Sequence, residues 1–334
     1  MAGLVVRHLS VRAGELELVR DVSLDVRPGE RVGLIGESGS GKSLTALAIV
    51  GLLGRGLSGT GEVRLGDEDL MQAGERRRCQ LRGDRIAMIF QDPMTALNPT
   101  MRVGRQVSEV LRIHRGLHRA EAAAAAVELL ARVELPDPAG YARRYPHQLS
   151  GGQQQRVMMA MAISCDPEVI LADEPTTALD VTVQRRVLEL LGRLVDEEGC
   201  ALLLITHDLA VVSETCDRVV TMYGGRVVES GPAGIMLSRP WHPYTDALLA
   251  TSHAVSVDGV TVGEELPAIP GSVPAAGRFP PGCPFRDRCP RAGEECHTMP
   301  GTTGEGPHQV ACWHPVVPVT PAAGRAAGTV QARE

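Results

Sequence analysis

Aromatic residues are scarce: three Phe, four Tyr and two Trp make up 3% of the 334 residues. That argues against stacking on nucleic acid bases as the work of this chain. A basic surplus is also missing, since the formal charge is −6 and the pI near 6.0, so no electrostatic footprint for DNA or RNA exists. The short run Arg76-Arg-Arg78 sits among acids and reads as a solvated helix face. No apolar stretch approaches the ~18–20 residues that span a bilayer, and the N-terminal residues lack the charged start and apolar run of a secretion signal. Any membrane contact is expected to come through a partner. Four of the eight cysteines (Cys79, Cys165, Cys200, Cys216) are scattered and are expected to be free, mostly buried thiols. The other four (Cys283, Cys289, Cys296, Cys312) lie near the end with the spacing C-x5-C-x6-C-x15-C.

What the chain does have is Gly36-Glu37-Ser38-Gly39-Ser40-Gly41-Lys42-Ser43. It fits G-x-x-x-x-G-K-[ST], and it sits between an apolar run (Arg31–Ile35) and a helical one (Leu44–Val50), the context that a phosphate-binding loop requires. Glycines let successive N–H groups turn toward phosphate oxygens at a helix N-terminus. Lys42 is placed to reach the β- and γ-phosphates, and the Ser43 hydroxyl to hold Mg²⁺. The chain is expected to bind a nucleoside triphosphate.

Around this loop the first 230 or so residues alternate strand and helix signals. Strands are expected at Val22–Val26, Val63–Leu65, Ile86–Phe90, Val169–Ala172, Leu202–Thr206 and Val219–Met222, with a hairpin turn at Tyr223-Gly-Gly-Arg226. Between Gln91 and Cys165 the pattern turns helical, at Val103–Ile113, Ala120–Val133 and Val157–Ile163. A mixed α/β core interrupted by a helical subdomain (about 91–165) fits best. Beyond Pro232 prolines crowd the chain, so a loop-rich module is expected over 236–315 and a disordered tail over 316–334.

Four further segments narrow the chemistry. Ile170-Leu-Ala-Asp173-Glu174 is an apolar strand ending in two acids, which sets Asp173 beside a metal and Glu174 where it can take a proton from water. Leu149-Ser150-Gly151-Gly152-Gln153 opens an amphipathic helix and offers a second anion-binding terminus. Gln91 and His207 each follow a strand. Singly, each is an ordinary polar strand end or cap.

Together, in this order, they resemble the ATP-binding cassette (ABC) family: Walker A Gly36–Ser43, Q-loop Gln91, signature Leu149–Gln153, Walker B ending at Asp173-Glu174, D-loop Ala178-Leu179-Asp180, switch histidine His207. The resemblance covers about residues 1–235. It implies a P-loop NTPase fold, ATP and Mg²⁺ as ligands, and two cassettes facing head to tail, the signature of each closing on the other's Walker A. It also implies Glu174 as base, His207 steadying the γ-phosphate, and Gln91 contacting Mg²⁺ and the attacking water. Lys42 and Ser150 are 108 positions apart, which puts the signature on a separate lobe. Where many cassettes carry an aromatic to stack the adenine, this chain has Ser10-Val-Arg-Ala-Gly-Glu15. That leaves the Arg12 guanidinium, or looser base selectivity, as the alternatives.

The wording Gln91-Asp-Pro-Met-Thr-Ala-Leu-Asn-Pro99, His147-Gln-Leu-Ser-Gly-Gly-Gln-Gln-Gln-Arg156 and His242-Pro-Tyr-Thr-Asp-Ala-Leu-Leu249 is similar to the peptide and nickel importer subfamily. So is the stretch Gly282–Cys312. The resemblance implies the ATPase subunit of a multisubunit peptide importer, peripheral on the cytoplasmic side of the cell (inner) membrane. Its implied partners are a second, paralogous ATPase chain, two membrane-spanning permeases and an extracytoplasmic solute-binding protein. Nickel or another metal chelate is the rival solute, and a soluble regulatory ATPase the rival class. Four thiolates at this spacing suit a [4Fe–4S] cluster better than zinc, whose sites use closer pairs; zinc and free thiols stay open.

Overall fold

A computed structural model describes residues 3–176, 180–256 and 268–317. The expected tail beyond residue 317, and Ala178 and Leu179 of the D-loop, lie outside the described residues.

The strands in chain order are β1 (Leu4–Ala13), β2 (Leu16–Val26), β3 (Arg31–Ile35), β4 (Leu57–Leu65), β5 (Glu68–Asp69) and β6 (Ile86–Ile89), then β7 (Val169–Asp173), β8 (Ala201–Ile205), β9 (Arg218–Tyr223), β10 (Arg226–Pro232), β11 (Thr303–Glu305) and β12 (His308–Val310). They form two sheets. The smaller is antiparallel, in the order β2-β1-β4-β5, and the larger runs β11-β12-β10-β9-β3-β8-β7-β6. Within the larger sheet β6, β7, β8, β3 and β9 are parallel, and the three strands at the other edge are antiparallel. The burial follows the pairing. Every residue of β7 and β8 is buried, as parallel strands covered on both faces must be. In β1 buried positions are interspersed with exposed ones, as in a sheet with one wet face.

The apolar interior divides accordingly. One cluster joins the two sheets through Leu4, Val6, Leu24, Leu34, Val63 and Leu171. A second packs the helical insertion onto the sheet, with Val103, Ala126, Leu130, Met159, Leu191 and Leu204. Helices Val103–His114, Arg119–Arg132 and Gly151–Ile163 make up the insertion, within a few residues of their expected limits. The Arg76–Arg78 run lies on helix Glu75–Leu81, where Arg77 pairs with Glu68 and Arg78 with Glu75. It is a solvated face. Gly224 and Gly225 form the hairpin turn between β9 and β10 at φ 57° and 79°, both in the left-handed region that a two-residue turn needs.

The chain after residue 236 departs from the loop-rich expectation in two ways. Pro243–Ser256 is a 14-residue helix, because the proline stands in its first turn, where its missing N–H costs nothing. Then β11 and β12 return to extend the large sheet. They are fastened by Glu229, a carboxylate only 1% exposed that accepts N–H bonds from Trp241 (2.7 Å) and His242 (3.0 Å) and meets His308 Nε2 at 2.8 Å. Trp241 and His308 stack at 3.7 Å. A buried carboxylate without such partners would be strongly destabilising.

His242 is buried and its Nδ1 accepts the Tyr244 N–H at 3.0 Å. Burial pushes its pKa down from 6.5 to about 4, against the pull of Glu229. Between those values the unfolded chain binds the proton and the folded chain does not, so stability is lost as pH falls from about 6.5 toward 4. Urea unfolding of the His242→Asn variant, which keeps an acceptor for Tyr244 without a titrating ring, should show a shallower loss over that range than the parent. Identical acid limbs would contradict the assignment.

Candidate functional site

The phosphate loop leaves β3 in the middle of the parallel strands and enters helix Lys42–Ile49. Its curl depends on backbone that side chains resist. Gly36 has φ 145°, and a Cβ there would stand 2.2 Å from the Met222 carbonyl oxygen. Gly41, the residue before the helix, has φ 99° and lies against Val19 and Gly225. Both positions require glycine. Lys42 is 6% exposed, and its ammonium is held inside the curl by the carbonyls of Gly36 (2.7 Å) and Glu37 (3.1 Å). Burial lowers its pKa, while Glu174, Asp173 and Glu37 oppose that shift and favour the charged form.

On the other side of the loop Ser43 Oγ donates to Asp173 Oδ1 at 3.0 Å. Asp173 closes β7, and burial raises its pKa against the Ser43 bond and the Lys42 charge. A hydroxyl and a carboxylate so paired are a donor set suited to a hard cation that keeps most of its water. Glu174 follows at φ 43°, a left-handed conformation uncommon for glutamate. Its N–H is fixed by the Ile205 carbonyl at 2.9 Å. Gln91 Nε2 donates to Glu174 Oε2 at 3.0 Å, and His207 Nδ1 stands 3.6 Å from Oε1. Four strand ends (β3, β6, β7 and β8) therefore bring Lys42, Gln91, Asp173, Glu174 and His207 together, as expected. A cleft of about 720 Å³ is lined by Ser38, Gly39, Gly41, Lys42, Ser43, Gln91, Glu174 and His207.

The signature does not join that cleft within one chain. Ser150 caps helix Gly151–Ile163, its Oγ accepting the Gln153 N–H at 3.4 Å while Gln153 Oε1 accepts the Ser150 N–H at 2.9 Å. Ser150 and Gly151 are exposed. Gly152 is buried, and a Cβ on it would meet Val183 at 2.6 Å. Asp180 is exposed and caps helix Val181–Glu198 through the Val183 N–H at 3.0 Å.

Two comparisons with known proteins settle the family. A family model described as ABC transporter matches residues 19–177, and one described as oligopeptide/dipeptide transporter, C-terminal region, matches 228–296. A probable D,D-dipeptide transport ATP-binding protein DdpD of Escherichia coli (strain K12) is 49% identical over 316 residues, 92% of this chain and 94% of that protein. The chain belongs to the ABC transporter family. The oligopeptide transport ATP-binding protein OppD of Salmonella typhimurium is 44% identical over 304 residues, 91% of this chain and 90% of that one. Among solved structures, a dimeric ATP-binding cassette in a post-hydrolysis state with ADP and Pi superposes with a TM-score of 0.62. It is 31% identical and covers 69% of this chain and 98% of its own. The fold is therefore that of an ABC-type P-loop NTPase with a mixed sheet and a helical subdomain.

Sequence reasoning missed how the C-terminal residues reach this ABC ATPase's nucleotide loop. The Glu37 N–H donates to the Tyr244 hydroxyl at 2.7 Å. The Glu37 carboxylate takes two bonds from Arg288, Nη1 at 2.7 Å and Nη2 at 3.1 Å. Arg288 is held in turn by the Pro270 carbonyl and the Tyr223 hydroxyl. The Tyr244 pKa is raised by burial; that of Arg288 is raised too, its bonds to Glu37 and Tyr223 outweighing burial. No local pattern announces a bond between residues 37 and 288.

The cysteine expectations divide. Cys165, Cys200 and Cys216 are buried, and burial pushes the last two thiols up to about 11. Cys79, on helix Glu75–Leu81, is the exposed one of the four. Cys283, Cys289, Cys296 and Cys312 gather near Phe285 and Tyr223. Burial first, and then the neighbouring sulfurs, push Cys283 up to about 11 and Cys312 up to about 12. Yet among the described residues no group of three or more His, Cys, Asp or Glu stands close enough to hold a metal ion. Neither iron–sulfur nor zinc ligation has support in this arrangement of side chains.

With Arg288 6% exposed and paired to a Glu37 carboxylate that is 24% exposed, removing one partner strands a largely buried charge. Arg288→Ala should cost roughly 3 kcal/mol of stability. The Glu37→Ala/Arg288→Ala pair should cost clearly less than the sum of its parts, as chemical denaturation would measure. Additive losses would show that the pair is not coupled.

Proposed function

We propose that this chain is the ATP-hydrolysing subunit of a multisubunit membrane importer of di- or oligopeptides. One observation carries the reading: a phosphate-loop cleft with acids at its strand ends and a C-terminal region matching that of oligopeptide/dipeptide transporters occur in one chain. The relatives named for dipeptide and oligopeptide transport match it along almost their whole length. We divide the chain into a cassette (1–235, helical subdomain about 91–165) and a module over 236–315 that leans on the cassette's loop.

In the cleft, the N–H groups of Gly39, Gly41, Lys42 and Ser43 and the Lys42 ammonium take the β- and γ-phosphates. Ser43, Asp173 and Gln91 are the residues that would hold Mg²⁺, which when bound neutralises the developing charge. Glu174 is the general base, its carboxylate facing Gln91 and His207; Gln91 contacts the attacking water and His207 steadies the γ-phosphate. The Ser150–Gln153 terminus, exposed at Ser150 and Gly151, belongs to the second cassette's site, and Asp180 to the contact between the two. That second cassette is a paralogous chain. Among the described residues no helix is long and apolar enough to cross a membrane. On the family reading the assembly contains two permease subunits, with this chain peripheral on the cytoplasmic face of the inner membrane and a solute-binding protein outside. A nickel or metal-chelate importer would use the same machinery.

For the cysteines we propose that the four neighbouring thiols take up a [4Fe–4S] cluster, with zinc as the alternative occupant. What favours the reading is the C-x5-C-x6-C-x15-C spacing; two of the thiols are buried and two half-buried, and occupancy requires the sulfurs to draw closer than they stand. Protein purified without oxygen should carry about four iron and four sulfide per chain. Zinc alone, or no metal, would reject the cluster.

Uptake of labelled di- or tripeptide, beside labelled nickel, should vanish for peptide when Lys42→Ala replaces the parent chain. Glu174→Gln should bind ATP yet lose roughly 10²–10⁴-fold in turnover in the assembled complex. Peptide uptake that survives Lys42→Ala while nickel uptake fails would leave the ATPase standing and remove the peptide assignment. Near-normal turnover by Glu174→Gln would remove the base.

A further inference from the structure

The cleft that holds the phosphate machinery is also lined by Leu18, Gly224, Ala276 and Phe279. None of these four has a side chain that can serve a phosphate, and Phe279 is the one Phe, Tyr or Trp among the lining residues. The ring comes from the C-terminal region, 237 positions after Lys42. It is half-buried and packs at 5.9 Å and 83° on Tyr223, the last residue of β9. Its seat is specific. A Cβ on Gly224 would stand 3.1 Å from the ring and 2.8 Å from Pro284, so the hairpin turn must be bare there for the ring to approach. Gly277, at φ 82°, lies against Leu16 in the same way. The segment thus lies against the first residues of β2, just after the stretch where the sequence offers no aromatic. Arg12, the sequence-based alternative for the base, is exposed on β1 and is not among the cleft's lining residues.

We propose that Phe279 supplies the ring on which the adenine of ATP stacks, with Leu18 and Ala276 completing an apolar base site. The C-terminal region is then part of the nucleotide site itself. Chemistry favours this placement: an aromatic face beside a phosphate cradle suits a ligand with a flat π-system at one end and anionic charge at the other. The inference rests on reading the cleft as a nucleotide site, and the test separates the two.

Calorimetric binding to the full-length chain should be measured with Mg-ADP and, separately, with inorganic tripolyphosphate, which has no base. Phe279→Ala should weaken ADP binding roughly ten- to hundredfold and leave tripolyphosphate binding unchanged. Phe279→Trp should restore ADP affinity, while Phe279→Leu, which keeps apolar bulk without a π-face, should not. ADP affinity within about twofold of the parent for Phe279→Ala, or an equal loss for tripolyphosphate, would overturn the stacking role. Failure of the parent to bind either ligand would overturn the nucleotide-site reading, and the stacking role with it.

Discussion

Everything in this protein is arranged around one constraint: several backbone N–H groups must turn toward a single anion. A peptide chain does this only by entering conformations that side chains resist, and Gly36 and Gly41 supply them. A loop so curled is not stable by its own contacts. It is tied down by strand β3 before it, by the helix Lys42–Ile49 after it, and by Val19, Gly225 and the Met222 carbonyl pressed against it. The buried Lys42 ammonium adds a second demand, because its charge must be met by carboxylates. Asp173 and Glu174 meet it from the next strand but one, which is why the metal-binding and proton-accepting groups arrive at the same place.

The second brace on the loop comes from far along the chain. Tyr244 and Arg288 take up the N–H and the carboxylate of Glu37, and the aromatic cluster of Tyr223, Tyr244 and Phe285 packs them. The module is in turn locked to the large sheet by Glu229 and His308. Of only nine aromatic residues in the protein, four (Tyr223, Tyr244, Phe285 and the partly buried Phe279) lie within this one joint. That concentration packs the described part of the module, residues 268–317, onto the cassette although most of it is loop.

Much of the site was legible in the sequence, for a physical reason. Gly36–Ser43, Asp173-Glu174, Gln91 and His207 are each set by short-range geometry: a glycine curl, a strand end, a polar residue one step past a strand. Spacing along the chain carries that kind of information. The helix Pro243–Ser256 was hidden because its proline is compatible with a first turn, and the pairing of β12 with β10 because three-residue strands have no periodicity to detect. Glu37–Arg288 and the placement of Phe279 were out of reach, since they depend on tertiary folding across more than 200 positions. The base site was sought near Arg12 because sequence offered only neighbours of the first strand.

With Phe279 stacking the base as proposed, the nucleotide site is built jointly by the phosphate loop and the C-terminal region. Amide hydrogen exchange of the full-length chain, with and without Mg-ATP, tests it most directly. Protection should rise together in Gly36–Ser43 and in the segment 275–279. Protection of the phosphate loop alone, with 275–279 unchanged, would contradict it.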